Sequence, residues 1–537
     1  MAAPSLQTSK NTVFHRIKLN GKQISTEIGL VSLSVLRNFN KVTHAQIVLT
    51  DGDVAKQDFA LSNEITFLPG SDIEILLGYS NSASLDTVFK GVVTRHTIHA
   101  PEHGQSRLVL EAKDKAVLLT LVRKTRFFTD LKDKEIIQNQ TEAVGLQAEI
   151  DGMDVQHRQM VMYDSLPWDF IVMRAEANGK LVSTDDGVLK IVSPAIAAKA
   201  HFKAQFGYNL YEIEAELDAR RQLKKATTLA WDFTKQEVSS EQGESQLKEP
   251  GNLSSDSLAD KLKIEELRFH AGHLGAQELS AWADAYAQQS RLSKTFGRAR
   301  IRGDASLRIG QTLELVGAGA RFNGLAFITG IAHHYQKGWE TEIQFGWDHN
   351  WFYHQLESEG DSTKGLLPHV PGMQIGVVLN EGDENDPDFL VKIKLPLLDP
   401  DGVGIWARVL TPEAGNDHGL YLRPKQGDEV LVGFVANDPR YPVIMGCLYS
   451  REQLPGIASS GTEQKYGYRS AENQQLVFDD SAKTIKLETG NCSITLDGQG
   501  NKIELKVGGN TITIDQQNIE INATAQAVIK GGTIALN

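Results

Sequence analysis

The chain has 537 residues, of which 41% are hydrophobic and 23% charged, as expected for a globular protein of several domains. Its net charge of -13 argues against a nucleic-acid coat, because phosphate binding needs an excess of lysine and arginine. The 2 cysteines, Cys447 and Cys492, are too few for a disulfide framework, so we expect folding in a reducing compartment.

The sequence shows no signal for export or membrane insertion. Its first residues lack a basic segment followed by an apolar core, which a signal peptide would have. No run of about 18 apolar residues occurs, so no transmembrane helix is expected. If the protein leaves the cell, we expect a route other than general secretion.

Short strands are predicted between residues 11 and 112. These strands are rich in Val, Ile and Leu and are separated by turn residues, which indicates an antiparallel barrel or sandwich. Two helices follow, at 131–145 and 164–179, each with a glycine at its end. The second has Asp164 or Ser165 as its cap and Pro167 in its first turn, where the missing N–H costs nothing.

Further elements are predicted up to residue 365. They are a hairpin over 180–192, a third helix over 276–289, strands over 297–345 and a polar linker over 358–365. Residues near 235–261 are rich in Ser, Glu, Gln, Gly and Pro, which predicts a mobile polar insertion.

Two stretches of this region look alike. Each has a glycine before a short strand and a second glycine at nearly the same spacing: Gly70 with Gly91, and Gly310 with Gly330. The pattern predicts two similar β-barrels on either side of the helices. Strand–turn–strand sequences also resemble one another by chance, which is the alternative.

Residues 371–449 are predicted to form a compact all-β unit. Strands at 374–379, 390–395, 404–410 and 429–434 are separated by Gly, Asp and Pro. This size and strand number suit a five-stranded barrel of the OB type.

From residue 475 onward, apolar and polar residues alternate in short runs, so each run predicts a strand with one apolar face. No helix follows to cover that face, and an uncovered sheet invites aggregation. Three intertwined chains would bury it, which predicts a triple-stranded β-helix in a homotrimer; a monomeric solenoid or a sandwich edge are the alternatives. The predicted trimer core comprises Ile485, Leu487, Ile494, Leu496, Ile503, Leu505, Ile512, Ile514, Ile519 and Ile521.

The unit at 371–449 contains several motifs in order: Pro371-Gly-Met-Gln374, Trp406-Ala-Arg408-Val409, Gly427-Asp428-Glu429-Val-Leu-Val432 and Asp438-Pro439-Arg-Tyr-Pro442, followed by Gly446. With these motifs, the unit resembles the OB-fold core of VgrG spike proteins. Upstream, 163–179 is similar to a helix of the family's hub domain, and downstream 473–480 is similar to the start of its β-helix.

The resemblance implies a mainly β protein with a hub domain over 1–365, which contains two β-barrels and a few helices. It further implies an OB-fold domain over 366–455, a linker over 456–474 and a triple-stranded β-helix spike over 475–537. As a homotrimer, the chain would adapt a hexameric inner tube to a needle, nucleate the baseplate and carry a PAAR-type tip protein to puncture membranes. Such spikes belong to type VI secretion systems and phage-tail-like particles.

The resemblance also implies binding partners and a cellular location. Baseplate proteins and effector cargo are expected partners, whereas nucleic acid and cofactors are not. Ile534 and Leu536, near the end of the chain, would form an apolar docking patch for the tip protein. The protein would assemble in the bacterial cytoplasm and then occupy the baseplate or tip of the particle.

The motif residues of the OB unit fit structural roles. Gly427 and Gly446 suit turns and bulges, and Asp428 and Glu429 suit turn and edge charges. Trp406 and Val409 would pack in the barrel or at trimer contacts, with a ligand-binding tryptophan as the alternative.

A non-enzymatic scaffold is expected. The segment 450–474 is too short for the lysozyme domain that phage relatives carry, and no effector domain is expected after residue 537. No G-x-S-x-G, H-E-x-x-H or P-loop pattern occurs. A spike-associated cell-wall hydrolase and a carbohydrate-binding β protein are the alternatives.

One histidine cluster is a candidate metal site. A solvated, aromatic-rich strand end explains it better, because its spacing matches no known ligand set. The spike also lacks a His-x-His pair, so no bound iron is expected there. The cluster consists of His333, His334, His349 and His354, with Asp348 nearby.

Overall fold

The computed structural model of the chain describes residues 12–80, 84–232, 235, 237–270, 273–347, 366–382, 388–396, 402–457 and 464–535. The chain forms two compact units, Met1–Cys447 and Leu448–Asn537. Within the described ranges, no helix is long and apolar enough to cross a membrane.

The first unit begins with strands that bury one face. In the fourth strand, Ala45, Ile47 and Leu49 alternate with exposed or half-buried residues, as a strand with one covered face requires. The strands are β1 (Val13–Leu19), β2 (Lys22–Gln23), β3 (Leu30–Asn38), β4 (His44–Thr50), β5 (Asp72–Tyr79), β6 (Asp86–His99) and β7 (Arg107–Lys113).

A helical region follows these strands. Pro167 is the first residue of the second helix, and Gly179 follows its end with a φ of 67°, as expected. The predicted cap at Asp164 or Ser165 is wrong, because Leu166 occupies the cap position and no side chain caps the helix. The elements are β8 (Lys124–Lys132), α1 (Asp133–Glu142), β9 (Gln147–Ile150), β10 (Gln156–Ser165), α2 (Pro167–Ala177), β11 (Leu181–Asp185) and β12 (Val188–Val192).

The second β region extends to residue 345. It includes a small sheet of β15, β16 and β17, on which the long helix α4 packs through Leu279 and Trp282. The elements are β13 (Phe202–Gln205), β14 (Leu210–Leu217), β15 (Lys225–Asp232), β16 (Glu237–Gln242), α3 (Ser255–Leu262), β17 (Glu265–His270), α4 (Ala276–Leu292), β18 (Thr295–Arg302), β19 (Thr312–Val316), β20 (Gly324–Tyr335) and β21 (Trp339–Phe345).

Pairing of β3 with β20 joins the two β regions into one 13-stranded sheet. Its order is β14-β18-β21-β20-β3-β4-β7-β6-β5-β1-β2, and β13 is attached through β19 and β20. Each half has its own hydrophobic core, the first around Phe89 and the second around Ile343. Two similar β units therefore flank the helices, and backbone hydrogen bonds connect them directly.

The second glycines of the internal repeat lie in corresponding hairpins but at different registers, because Gly91 pairs with Ile73 of β5 whereas Gly330 lies beyond the last β19–β20 pair, Thr312 with Phe327. Gly91 is in the second strand of the β5–β6 hairpin, and Gly330 is in the second strand of the β19–β20 hairpin. A Cβ at Gly91 would lie 2.2 Å from the carbonyl oxygen of Lys113, and one at Gly330 would lie 2.1 Å from the side-chain oxygen of Asn38. Backbone crowding therefore requires glycine at Gly91, whereas at Gly330 the nearest atom belongs to the Asn38 side chain, which can move.

The prediction of a mobile polar insertion near 235–261 is wrong in its structural part, because this segment contains β16 and most of α3. The Lys294 side chain, 1% exposed, donates to the carbonyl oxygens of Pro250 and Leu253 and pairs with Glu249 at 2.7 Å. Ser254 caps α3 by accepting from the backbone N–H of Ser257. The polar composition by itself favours a mobile loop, because the buried partners of this segment are distant in the sequence.

Residues 374–447 form the closed five-stranded barrel that the sequence predicts, in the order β22-β23-β24-β28-β27. Its core includes Val391, Ile393, Val430 and Ile444. The elements are β22 (Gln374–Asn380), β23 (Val391–Lys394), β24 (Ile405–Val409), the short β25 (Ala414–Gly415) and β26 (His418–Gly419), β27 (Glu429–Phe434) and β28 (Pro442–Cys447).

The second unit contains a seven-stranded sheet in which each strand pairs antiparallel with the next. Its first strand lies within 456–474, which was expected to be a linker. Because the strands pair within one chain, the backbone ladder needs no second chain, and the intertwined β-helix stays a prediction. The strands are β29 (Lys465–Arg469), β30 (Gln475–Asp479), β31 (Thr484–Thr489), β32 (Cys492–Asp497), β33 (Lys502–Val507), β34 (Asn510–Ile514) and β35 (Ile519–Asn522).

A buried charge cluster connects the hub helices to the barrel. One guanidinium nitrogen (Nη1) of Arg440, which precedes β28, donates to both carboxylate oxygens of Glu278 in α4, at 2.8 and 2.9 Å. The same carboxylate accepts from Arg174 of α2 at 3.3 Å, and Arg174 also binds both oxygens of Asp133 at 2.8 and 2.9 Å. Charge-assisted hydrogen bonds are stronger than neutral ones, so the Glu278–Arg440 pair ties the barrel to α4.

Burial and charge act in opposite directions on the carboxyl groups of this cluster. Burial alone would raise the pKa of Glu278, but the positive charges of Arg440, His157 and Arg174 outweigh it and lower the pKa to about 2. The same balance holds the pKa of Asp133 and that of Asp438 well below the ordinary value. All three groups are therefore ionised at neutral pH.

Replacing Arg440 by Met should leave the carboxylates of Glu278 and Asp438 buried without their main counter-charge. Breaking a buried pair in this way costs about 3–5 kcal/mol, so the midpoint of thermal unfolding should fall clearly. Lys56→Met is the matched control, because the Lys56 side chain is 79% exposed and its ion pair with Asp53 should contribute little. Equal midpoints for the two variants would contradict this role of Arg440.

The Glu278 carboxylate should also make stability depend on pH. Its pKa is about 2 in the folded chain against an ordinary 4.5, so its contribution is complete above pH 4.5 and is lost as the pH falls towards 2. The destabilisation caused by Glu278→Gln should therefore be largest above pH 4.5 and shrink below it, measured as thermal midpoints against wild type. The exposed Glu413→Gln is the control, and a destabilisation by Glu278→Gln that is constant with pH would refute the linkage.

Candidate assembly surface

The sheet of the second unit carries two rows of apolar side chains on one face. Strand pairing aligns each residue with the next across the sheet, so the rows run perpendicular to the strands. The first row is Tyr468, Leu476, Leu487, Ile494, Leu505, Ile512 and Ile521, and the second is Tyr466, Phe478, Ile485, Leu496, Ile503, Ile514 and Ile519.

The register of these rows follows from the turns. β31 and β32 are joined by two residues between Thr489 and Cys492, and β33 and β34 by two residues between Val507 and Asn510. Gly490 and Gly508 have φ values of 52° and 57°, which such tight turns require. Because a slip by one residue would reverse every side chain, the short turns keep the residues of both rows on the same face.

The apolar face is uncovered within this unit. Leu496 is 43% exposed, Leu487 52% and Ile519 71%, although each lies inside a hydrogen-bonded strand. Burying one such side chain is worth about 1.5–3 kcal/mol, and single chains rarely expose a continuous apolar patch of this size. The face is therefore a candidate assembly surface.

The opposite face of the same sheet is suited to water. It carries the ion pairs Lys486–Glu488 at 2.8 Å and Lys502–Glu504 at 2.9 Å, together with Thr495 and Thr513. The contrast between the two faces defines which side would be buried in an assembly.

The structure places all the residues predicted for the trimer core on the apolar face. Sequence reasoning left out Leu476, Phe478, Tyr466 and Tyr468 from that set, although they continue the same two rows and have the same period. Of the two residues predicted for tip docking, Ile534 is 49% exposed and lies outside the strands. Leu536 lies outside the described residues.

The predicted OB residues occupy structural positions. Gly427 has a φ of 91° in the turn before β27, where the Asp428 carboxylate accepts the backbone N–H of Lys425 at 2.7 Å. Gly446 pairs with Leu431 beside a bulge between β27 and β28. Arg408 and Val409 lie in β24, and Val409 packs on the barrel core.

Trp406 lies where the barrel meets the hub. Its backbone N–H donates to the Gln159 side chain at 3.2 Å, and the Gln159 amide donates to the carbonyl oxygens of Trp406 and Arg440. The guanidinium of Arg158 is 5.9 Å from the Trp406 ring centre, and the ammonium of Lys392 is 5.6 Å from it. Through these contacts, Trp406 connects the barrel to β10.

Histidines do not gather into a metal site in the part of the chain that the structure describes. His333 is buried and accepts or donates a hydrogen bond with Thr341 at 3.0 Å, and burial lowers its pKa to about 3. No group of three potential metal-binding side chains occurs in the described ranges. His349, His354 and Asp348 lie outside them.

The buried carboxylates are poorly placed for acid–base chemistry. Asp133, Glu278 and Asp438 are each paired with an arginine, and their lowered pKa values make them ionised acceptors at neutral pH. A general acid needs a proton near its working pH, so these groups do not form the carboxylate pair of a hydrolase.

Comparison with known proteins agrees with this architecture. Residues 9–337 match the family described as the Alg8 N-terminal domain. The chain belongs to the Alg8 N-terminal domain family. In this chain, that domain is the 13-stranded sheet with its helices. A second match, over residues 374–449, is to the type VI secretion system/phage-baseplate injector OB domain, which coincides with the closed barrel that follows the Alg8 N-terminal domain.

Curated relatives are spike proteins of Pseudomonas aeruginosa. Type VI secretion system spike protein VgrG4b is 36% identical over 89 residues, which cover 15% of this chain and 11% of that protein. Spike protein VgrG5 is 37% identical over 93 residues, covering 16% and 12% respectively. The matched stretch spans only about a tenth of these relatives. It nevertheless shows that the chain resembles VgrG-type spike proteins.

Solved structures show the same fold. A chain of the Francisella PdpA–VgrG complex has a TM-score of 0.57 at 10% identity, covering 96% of this chain and 88% of that one. An Escherichia coli component of the type VI secretion system, similar in structure to T4 bacteriophage tail proteins gp27 and gp5, has a TM-score of 0.50 at 12% identity, covering 80% and 99%. The Alg8 N-terminal domain and the barrel thus share the mainly β fold of these proteins.

Replacing Ile494 by Asp should abolish self-association through the apolar face, because it places a charge in the middle of the first row. The expected mass by light scattering is then that of a single chain. Thr495→Asp is the matched control, since Thr495 is the next residue on the opposite, polar face and its replacement should leave association unchanged. Loss of association in both variants, or in neither, would refute the assignment of the face.

Proposed function

We propose that this chain is the structural spike and hub of a contractile injection system, working as a homotrimer and without enzymatic activity. The observation that carries the proposal is the continuous apolar face of a single-layer sheet, which one chain leaves exposed. The match of the barrel to an injector OB domain supports the same class of machine.

Three copies of the sheet can cover one another. Packed around a common axis with their apolar rows inwards, they would form a triangular prism with the Lys, Glu and Thr face outwards. Seven strands at a spacing of about 4.8 Å give a shaft on the order of 30 Å long. Such a prism differs from the intertwined β-helix expected earlier, because its strands pair within chains and only side chains pack between them.

Further parts of the proposal concern partners and place. The hub would adapt a hexameric inner tube to the three-fold needle and nucleate the baseplate, and the end near Ile534 would carry a PAAR-type tip protein that helps to puncture target membranes. The chain would assemble in the bacterial cytoplasm and leave it by sheath contraction or particle release. The likeness to VgrG-type spike proteins supports these roles.

Cys492 offers a direct test of the trimer. It lies on the apolar face, between Thr489 and Val507, and is exposed in the single chain. In a prism, Cys492 of neighbouring copies would come within reach of a short bismaleimide. We expect covalent dimers from wild type and from Cys447→Ser, but none from Cys492→Ser, on denaturing gels.

The exposed Cys447 belongs to the other unit and is the matched control. Light scattering of the same samples gives the mass before cross-linking. A single-chain mass, or cross-links that need Cys447 and not Cys492, would overturn the proposed prism.

A further inference from the structure

A cavity of about 310 Å³ lies where the barrel meets the hub helices. Its walls come from β10, the start of α4, β24 and the segment that leads into β28. Ligand sites have volumes of about 300–1,000 Å³, so this cavity is at the lower end of the range. A cavity of that size suits one large side chain rather than a bulkier group.

The cavity is more basic than the chain as a whole. Three arginines and two carboxylates line it, although the chain has a net charge of -13. The Arg158 side chain is 51% exposed and pairs with Asp388 at 3.4 Å, and Arg408 in β24 is exposed as well. Lys392 lies opposite Trp406 in the ladder of β23 and β24, with its ammonium 5.6 Å from the indole ring centre. The cations around Trp406 favour an anionic partner.

The buried carboxylate in the wall does not oppose such a partner. Glu278 accepts from Arg440 at 2.8 and 2.9 Å and from Arg174 at 3.3 Å, so its charge is compensated. Gly275, which precedes α4, also lines the cavity and has no side chain to accept the first backbone N–H groups of that helix. The positive end of the helix dipole therefore adds to the attraction for an anion.

The rest of the wall is apolar and aromatic. Trp406 and Tyr441 are half-buried, and Leu390 and Val443 also line the cavity. Pockets with such walls hold the anchoring side chains that dominate binding between proteins, because a well-packed anchor is fully removed from water. A large apolar side chain with acidic neighbours in its own chain would contact both the aromatic wall and the surrounding cations.

A single-stranded nucleic acid is the rival ligand. Lys392 and Trp406 belong to the second and third strands of the barrel, and this face of OB folds often binds oligonucleotides by base stacking beside cations. Such binding needs a basic groove that follows several phosphates. Here the cations surround one cavity and are interrupted by Asp388, which favours a short anionic segment over a polyanion.

We infer that this cavity binds an acidic segment of another protein, which inserts one large apolar side chain against Trp406 and places its carboxylates near Arg158 and Arg408. All residues of the cavity belong to the first unit of a single chain. The site is therefore independent of the proposed trimer, and it gives the protein a docking function beyond that of a spike.

The test measures binding of a fluorescein-labelled peptide, Asp-Glu-Phe-Glu-Asp, to the full chain by fluorescence anisotropy. We expect saturable binding. Replacing the central Phe of the peptide by Ala should weaken it about tenfold or more, because the anchor is lost. A peptide with Lys in place of the four acidic residues should not bind, since like charges repel. These comparisons of peptides need no variant of the protein.

Two variants locate the site. Arg408→Glu should weaken binding about tenfold or more, because it replaces attraction by repulsion. Val443→Phe should also abolish binding, since it fills the cavity without changing the charge, and its thermal midpoint reports whether the chain still folds. Arg95→Glu is the matched control, because Arg95 is 67% exposed and does not line the cavity, so binding should be unchanged.

The outcomes distinguish the cavity from general charge effects. Equal affinity for the Phe and Ala peptides, or unchanged binding by a folded Val443→Phe chain, would overturn the cavity as the site. An equal loss in Arg95→Glu and Arg408→Glu would trace binding to net charge and overturn it too. Tighter binding of a labelled oligothymidylate, lost in Arg408→Glu, would assign the site to nucleic acid instead. Light scattering of wild type tests the spike separately from all of these.

Discussion

A single-layer sheet cannot cover its own apolar face, and this constraint governs the second unit of the chain. Each inner strand is paired on both sides, yet the side chains on one face have no partner layer. Two in-register rows of such residues make the face continuous. Association of several copies would remove this apolar face from water without any additional helix or strand.

The first unit is stabilised in a different way. Its hydrophobic cores are complete within one chain, and a cluster of buried ion pairs holds the barrel on the hub helices. Glu278 is central, because arginines from α2 and from the barrel bind the same carboxylate. Stability of the hub and barrel should depend on pH, whereas stability of the shaft should depend on protein concentration.

The different stabilisation of the two units suits the proposed mechanical role of the protein. The sheet with its helices and the barrel can fold within one chain before assembly, and in the proposed trimer the second unit would gain its core only when copies meet. Family membership is established through the Alg8 N-terminal domain, and the barrel matches the injector OB domain. The proposals concern how copies of the chain associate through the apolar face, and what binds in the cavity between the hub helices and the barrel.

Local signals in the sequence determined many of the elements and most of the apolar face. Pro167 and Gly179 mark the limits of α2, and the period of two identifies the residues of the two rows from Ile485 to Ile521, because strand periodicity and tight turns act over a few residues. Tertiary structure alone decided the rest. Glu278 and Arg440 are 162 residues apart, Lys294 orders a polar segment that reads as a loop, and the β3–β20 pairing creates one sheet from two halves. Such contacts depend on how distant segments pack, so the spacing of residues along the sequence does not predict them.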